Sequence, residues 1–216
     1  MSGKALAAVS ALLLMSMTAA YGQNQDERPS HLYFGIDVGS SHLGVSGGTI
    51  DGVFLNQGLS TVTSMQQNRV GAGLVLGIPV RPHLAVEFGY RHLGNFTYNS
   101  VVNAPAADTI QGTYRSNALS VAGIGIVPLP SNWSLFGKLG LAHTVSTLSA
   151  NSVNGVTLLS NGTESANGLL VGAGISHRFS GDWYLRLGWD HYSAVGGVTT
   201  GKGSDSILSL GAGSYF

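Results

Sequence analysis

Two strictly alternating runs, joined by Arg81-Pro82-His83, dominate the middle of the chain between Gly71 and Tyr98. In the first, Ala72, Leu74, Leu76, Ile78 and Val80 share one face, and Gly73, Val75 and Gly77 the other. In the second, Leu84, Val86, Phe88 and Tyr90 alternate with Ala85, Glu87, Gly89 and Arg91. Strand side chains point to opposite faces with period 2, so the stretch predicts a β-hairpin with one continuous apolar face. The second face holds glycines and isolated ions, where a water-soluble sheet would carry Lys, Thr and Ser. Apolar outside and small or charged inside is the pattern of a transmembrane β-barrel strand.

The same unit recurs along the chain. A first strand places Leu32, Phe34, Ile36 and Val38 outward and Tyr33, Gly35, Asp37 and Gly39 inward. Residues 45–70 are rich in Gly, Ser, Thr, Asn and Gln and predict a long loop. The central hairpin supplies strands two and three, and 99–113 is a second loop. Strand four, about 115–127, changes phase between Leu119/Val121 and Ile124/Ile126, which predicts a bulge near Gly123. A turn at 128–132 leads to strand five, 133–144, with Trp133, Leu135, Leu139 and Leu141 outward and Lys138 inward. A third loop, 145–163, precedes strand six, 164–179. The turn 180–182 leads to strand seven, with Trp183, Leu185, Leu187 and Trp189 outward and Tyr184, Arg186, Gly188 and Asp190 inward. A short loop, 194–204, ends at strand eight, 205–216. Each strand is near the length of about 9–11 residues that crosses a bilayer at a tilt.

Connections alternate short and long, as in barrels with short periplasmic turns and long external loops. The predicted fold is therefore an all-β, eight-stranded antiparallel up-and-down transmembrane β-barrel. Trp133, Phe179, Trp183 and Phe216 fall near the short-turn ends, and Tyr90 and Trp189 toward the long loops, as two interfacial aromatic girdles. A soluble sandwich or lipocalin-like barrel would need a polar exterior that the second face does not provide.

Composition narrows the classes further. Glycine reaches 32 of 216 residues and charged residues only 9%, yet 44% hydrophobic content and regular alternation exclude a disordered chain. The formal net charge is zero, so nucleic acid is not an expected partner. The chain has no cysteine, which removes disulfides, thiolate metal sites and cysteine nucleophiles together. At the N-terminus Lys4 precedes an apolar run over 5–17 and small residues Ala19, Ala20 and Gly22. That pattern predicts a signal peptide over 1–22 with cleavage between Ala20 and Gly22, a periplasmic lead-in over 23–31 and a barrel over 32–216. The expected location is the outer membrane of a Gram-negative-type bacterium.

The third strand, Leu84-Ala85-Val86-Glu87-Phe88-Gly89-Tyr90 with Leu93-Gly94, resembles the OmpA-type family of small outer-membrane barrels. So do Lys138-Leu139-Gly140, Leu185-Arg186-Leu187 and Leu208-Ser209-Leu210-Gly211. The resemblance runs from about Leu32 to Phe216. It implies that Leu208, Leu210, Ala212 and the terminal Phe216 are read by the barrel-assembly machinery. It also implies outer-membrane lipid and lipopolysaccharide as surroundings, a monomer, and a surface ligand of the external loops as a further partner. The chain stops at Phe216, so no peptidoglycan-binding domain is expected.

Six inward charges carry the candidate chemistry. Asp37, Glu87, Lys138 and Arg186 are expected at one height, and Arg91 and Asp190 one layer above. An eight-stranded barrel has a lumen just wide enough for side chains to fill, so these groups should meet and neutralise one another. A network that plugs the lumen is the main expectation. A gate, in which partner exchange opens a narrow water path, is the alternative, and Glu87, Lys138 and Arg186 match the kinds of position such barrels use. His191-Tyr192-Ser193 also resembles the His-x-Ser of outer-membrane lipid A deacylases, which would make His191 the base, Ser193 the nucleophile and Asp205 the orienting carboxylate. Against it, Ala194 stands where that family has Asn, and Asp205 has inward parity. No enzyme activity is expected. His31, His42, His83, His92, His143 and His177 show no metal-ligand spacing and are expected at rims or interfaces, with no cofactor or metal.

Overall fold

The computed structural model describes residues 31–157, 161–179 and 181–216. The predicted leader and nearly all of the lead-in fall outside this range. The described elements are β1 (Tyr33–Leu43), α1 (Gly47–Leu55), β2 (Ser60–Met65), β3 (Asn68–Arg81), β4 (Leu84–Ala104) and β5 (Asp108–Pro128). They continue with β6 (Trp133–Ser152), β7 (Gly162–Arg178), β8 (Trp183–Val195) and β9 (Gly203–Tyr215).

Eight strands close a ring in the order β1-β3-β4-β5-β6-β7-β8-β9, each antiparallel to its neighbours, with β9 returning to β1. Closure leaves the ring with no free edge, which a barrel in a bilayer requires because lipid offers no hydrogen bonds. The ninth strand, β2, lies outside the ring and pairs with the upper part of β4.

In the lower half of the ring the alternation has the expected sense. Phe34, Ile36, Val38, Leu74, Leu76, Phe88, Leu139, Leu185 and Leu210 are exposed on the outer face. Trp133, Phe179, Trp183 and Phe216 ring the short-turn end. Above Tyr90, Leu119, Leu141 and Trp189 the sense reverses. There Asn95, Thr97, Asn99, Gln111 and Thr113 face outward, and Phe96, Tyr98, Val102, Ile110, Tyr114 and Leu148 are buried inside. One ring is thus lipid-facing below and built like a water-soluble barrel above. A bulge on β4 between His92 and Gly94 resets the parity, and Gly94 takes φ +135°, which a side chain would oppose.

Three expectations are corrected. First, residues 99–113 and 145–163 are largely strand, because β4 and β5, and β6 and β7, continue above the apolar belt as paired hairpins. Their Gly, Ser, Thr and Asn face water, which makes the segments read as loops. Second, 45–70 contains α1 and β2 as well as the start of β3. Gly47, Gly48 and Gly52 make α1 a poor helix by propensity. It forms through a capping box, with the Thr49 amide donating to Ser46 Oγ at 3.3 Å and the Ser46 amide to Thr49 Oγ1 at 3.4 Å, and through burial of Ile50, Val53 and Phe54. Third, β5 runs through Gly123 in unbroken register with β4 and β6. Ile124 and Ile126 keep inward parity and pack into an apolar lower layer with Tyr33, Ala85, Phe136 and Tyr184. The phase change marks a change in what fills the lumen, and the nearest bulge is on β4.

The lumen therefore has three layers. Aromatic and aliphatic side chains fill the short-turn end, charges the middle, and a large apolar cluster beneath α1 the upper end.

Candidate functional site

The middle layer is assembled from four strands. β1 presents Asp37, β4 presents Glu87 and Arg91, β6 presents Lys138, and β8 presents Arg186 and Asp190. Intervening strands β3 and β7 contribute glycine. Gly73 on β3 lies in register between Asp37 and Arg91, and a Cβ there would stand 3.1 Å from both the Asp37 carboxylate and the Arg91 guanidinium carbon. Gly172 on β7 lies between Lys138 and Asp190, and a Cβ there would overlap the Asp190 carboxylate. These glycines let charges two strands apart meet across the wall of the lumen.

All six predicted charges join one chain of alternating sign. Arg186 Nη1 donates to Glu87 Oε2 at 2.6 Å, and Glu87 Oε1 lies 2.8 Å from Lys138 Nζ. Lys138 in turn reaches Asp190 Oδ1 at 3.2 Å, and Arg91 lies 3.4 Å from Asp190. Arg91 closes the chain with a two-pronged pair to Asp37, at 2.6 and 2.9 Å. The expected layering is altered in one respect. Asp37 joins Arg91 rather than Lys138 or Arg186, because strand stagger places it across Gly73 from Arg91.

Sequence reasoning missed the groups that finish this layer. The Tyr33 hydroxyl donates to Glu87 Oε2 at 3.2 Å, and the Arg186 guanidinium stacks 4.1 Å above the Phe136 ring. Inward parity and an aromatic side chain next to a charged height were the available signals. A cavity of about 20 Å³ beside Asp37, Arg91, Arg186 and Asp190 leaves room for about one water molecule.

The alternative hydrolytic trio is dispersed. His191 Nδ1 lies 2.8 Å from Ser206 Oγ, and Ser193 Oγ accepts the Leu169 amide at 2.8 Å. Asp205 is buried on the lumen side, where the Ser41 hydroxyl donates to its two oxygens at 2.7 and 2.9 Å. His191 and Ser193 thus bond to other partners, and Asp205 is on the opposite side of the wall. Among the described residues no group of three or more His, Asp or Glu is placed to hold a metal. On the terminal strand, Leu208, Leu210 and Phe216 are exposed on the outer face, with Ala212 half-buried among them.

The family model of the OmpA-like transmembrane domain matches residues 27–216. The chain belongs to the OmpA-like transmembrane domain family. Solved structures with the same fold include OprG of Pseudomonas aeruginosa, 11% identical with a TM-score of 0.56, covering 87% of this chain and 97% of that one. The Neisserial surface protein NspA is 14% identical with a TM-score of 0.55, covering 86% of this chain and 97% of that one. Ail, the attachment invasion locus protein of Yersinia pestis, is 14% identical with a TM-score of 0.53, covering 88% and 100%. These proteins share an outer-membrane barrel architecture of eight strands with this chain. No curated protein matches it in sequence.

In this OmpA-like barrel the long-loop end is also ordered by carboxylates, which sequence reasoning left aside. Asp51 on α1 accepts the Thr61 and Thr63 hydroxyls at 2.7 and 2.6 Å, tying α1 to β2. Glu164 on β7 accepts the Thr199 and Thr200 amides at 2.7 and 3.2 Å, pinning the β8–β9 connection. Asp108, the first residue of β5 and far above the apolar belt, accepts the Ser152 hydroxyl at 2.5 Å and the Thr109, Thr157 and Asn154 amides at 2.7, 3.0 and 3.3 Å. The Ser152 hydroxyl foremost, with the other donors, holds the Asp108 carboxyl far below the usual carboxylate range.

Proposed function

We propose that this protein is a closed structural barrel of the outer membrane, which stabilises the envelope and offers its ordered upper hairpins for surface contact. The observation that carries this is the filling of the lumen along its length. An apolar plug under α1, a neutralised ion chain with a small cavity beside it, and an aromatic floor succeed one another along it. A selective pore needs a continuous wet path, and a buried alternating ion chain favours rigidity instead. Outer-membrane lipid and lipopolysaccharide are its surroundings in this reading, and the assembly machinery engages β9 and Phe216. The upper sheet carries polar outward residues with few exposed aromatics, which fits weak, broad contact better than a tight protein–protein hot spot.

A second reading is a gated channel. It is favoured by one feature, Lys138 lying between Glu87 at 2.8 Å and Asp190 at 3.2 Å, so that it could exchange partners. Planar-bilayer recording separates the two. The closed scaffold gives silent bilayers from protein whose folding is verified by heat-dependent gel mobility. Discrete openings that change with Lys138→Met would instead establish the channel.

A further inference from the structure

Four histidines that are far apart in the sequence occupy equivalent places in the barrel. His42 Nδ1 lies 2.7 Å from Asn68 Oδ1, His92 Nδ1 2.8 Å from Asn117 Oδ1, and His143 Nδ1 2.7 Å from Asn167 Oδ1. His191 Nδ1 lies 2.8 Å from Ser206 Oγ. The pairs take up all eight strands of the ring, β1 with β3, β4 with β5, β6 with β7, and β8 with β9. Every histidine is on a strand that runs upward from the short-turn end, and every partner on a strand that runs back down to it.

Their height is set by the apolar belt. Asn68, Asn117, Asn167 and Ser206 each stand one outward position above the topmost aliphatic residue of their strand, Val70, Leu119, Leu169 and Leu208. His92, His143 and His191 stand one outward position above Tyr90, Leu141 and Trp189, with Val145 the next outward residue above His143, while His42 is separated from Val38 by Ser40. Trp189 stacks on His191, with ring centroids 6.0 Å apart and planes at 17°. An isolated cross-strand hydrogen bond between polar side chains needs no explanation. A histidine in every second strand at the level where the outer face turns from apolar to polar does.

The chemistry at that level is anion-binding. Asn Oδ1 only accepts, so Nδ1–H of His42, His92 and His143 donates and Nε2 is the nitrogen that takes a second proton. An imidazolium then keeps its cross-strand bond and offers a second N–H and a positive charge. The flanking charges have the same sign. Arg69 follows Asn68, and Arg115 on β5 stands one outward position above Asn117 and donates to Asn95 Oδ1 at 2.9 Å. Among the described residues no carboxylate competes. Asp37, Glu87, Asp190 and Asp205 point into the lumen, Asp182 pairs with Arg178 at the short-turn end, Glu164 bonds the β8–β9 connection, and Asp51 and Asp108 bond within the upper loops.

From this we infer that the ring of His42, His92, His143 and His191, with Arg69 and Arg115, is a proton-dependent binding girdle for phosphate-bearing lipid head groups of the surrounding leaflet. A lipid is the occupant because the ring is continuous below with the lipid-facing apolar belt, which places head-group phosphates at this height. The inference rests on the barrel standing in a membrane with its long hairpins in the outer aqueous phase.

Native mass spectrometry of the refolded protein in mixed micelles tests it, comparing phosphatidic acid with phosphatidylcholine at about pH 5 and about pH 8, the two ends of the imidazole range. Phosphatidic acid is expected to be retained preferentially at the acid end, by roughly fivefold for each imidazolium engaged. The preference should vanish in the variant carrying His42→Gln, His92→Gln, His143→Gln and His191→Gln. His143→Gln alone gives a partial loss, and the pH dependence of the unmodified protein is informative without any variant. Equal retention of both lipids at either pH, or a preference untouched by the four substitutions, overturns the girdle. Competition with inorganic phosphate identifies what is recognised. Displacement of the lipid means that the phosphate suffices, and resistance means that the belt beneath contributes. Failure to insert into bilayers, seen as loss of heat-dependent gel mobility, would count against the barrel assignment and not against the girdle.

Discussion

Glu87 is the joint on which the buried ion chain turns. Its carboxylate is 3% exposed and holds Lys138 at 2.8 Å, Arg186 at 2.6 Å and the Tyr33 hydroxyl at 3.2 Å. Glu87→Gln keeps the shape but removes the carboxylate paired with Arg186 and Lys138 and gives the layer a net positive charge. Breaking one partner out of a buried pair costs about 3–5 kcal/mol, because the remaining charge stays desolvated. Lys138→Met makes the complementary error, a net negative layer in which Glu87 and Asp190 lose their shared cation, and should cost a similar amount. The double variant restores a neutral layer of Asp37, Asp190, Arg91 and Arg186. Its destabilisation should fall short of the sum of the single effects by about 1–3 kcal/mol, the coupling typical of neighbours in one network. Guanidinium unfolding from lipid vesicles provides the assay, with emission from Trp133, Trp183 and Trp189 on the lipid face as the signal. Single variants within about 0.5 kcal/mol of the parent protein, or strict additivity, would refute the view of this layer as a coupled network.

Two further outcomes follow from the upper half. The Asp108 carboxyl is depressed in the folded state, so the stability it contributes is fully present above the ordinary aspartate range near pH 4 and is lost as pH falls below it. The protection factors of the Asn154 and Thr157 amides, corrected for the intrinsic exchange rate at each pH, should therefore fall in acid, and Asp108→Asn should lower them at neutral pH. Phe54 is fully buried at the heart of the upper cluster, and Phe54→Ala should cost about 3–5 kcal/mol at that end of the barrel. Proteolysis within 45–67 should then quicken while the heat-dependent gel shift of the ring persists, and unchanged proteolysis would mean that α1 is not held by that contact.

The lower half of this protein was legible in the sequence because lipid on one side and a narrow lumen on the other impose opposite demands on successive residues. Leu74 against Gly73, or Leu185 against Arg186, declares its side of the wall without any knowledge of the neighbouring strand. The six charges could be named for the same reason, since an ion with inward parity in a barrel has nowhere else to go. Where both sides of the wall make less contrasting demands, the pattern fails. Above Tyr90 water replaces lipid, polar residues move outward, and strands dressed in Asn, Ser and Thr look like loops. At Ile124 the lumen itself becomes apolar, and a strand in perfect register reads as a bulge. The glycine-laden α1 forms because Ile50, Val53 and Phe54 find a cavity to fill, a fact held by the far side of the barrel. Partner choice belongs to tertiary structure as well. Stagger between strands, and not residue spacing, brings Asp37 to Arg91 and gathers four scattered histidines into one ring. A chain records which face each residue takes, but neighbours along the hydrogen-bonding direction are distant in sequence, and only closure of the sheet sets them side by side.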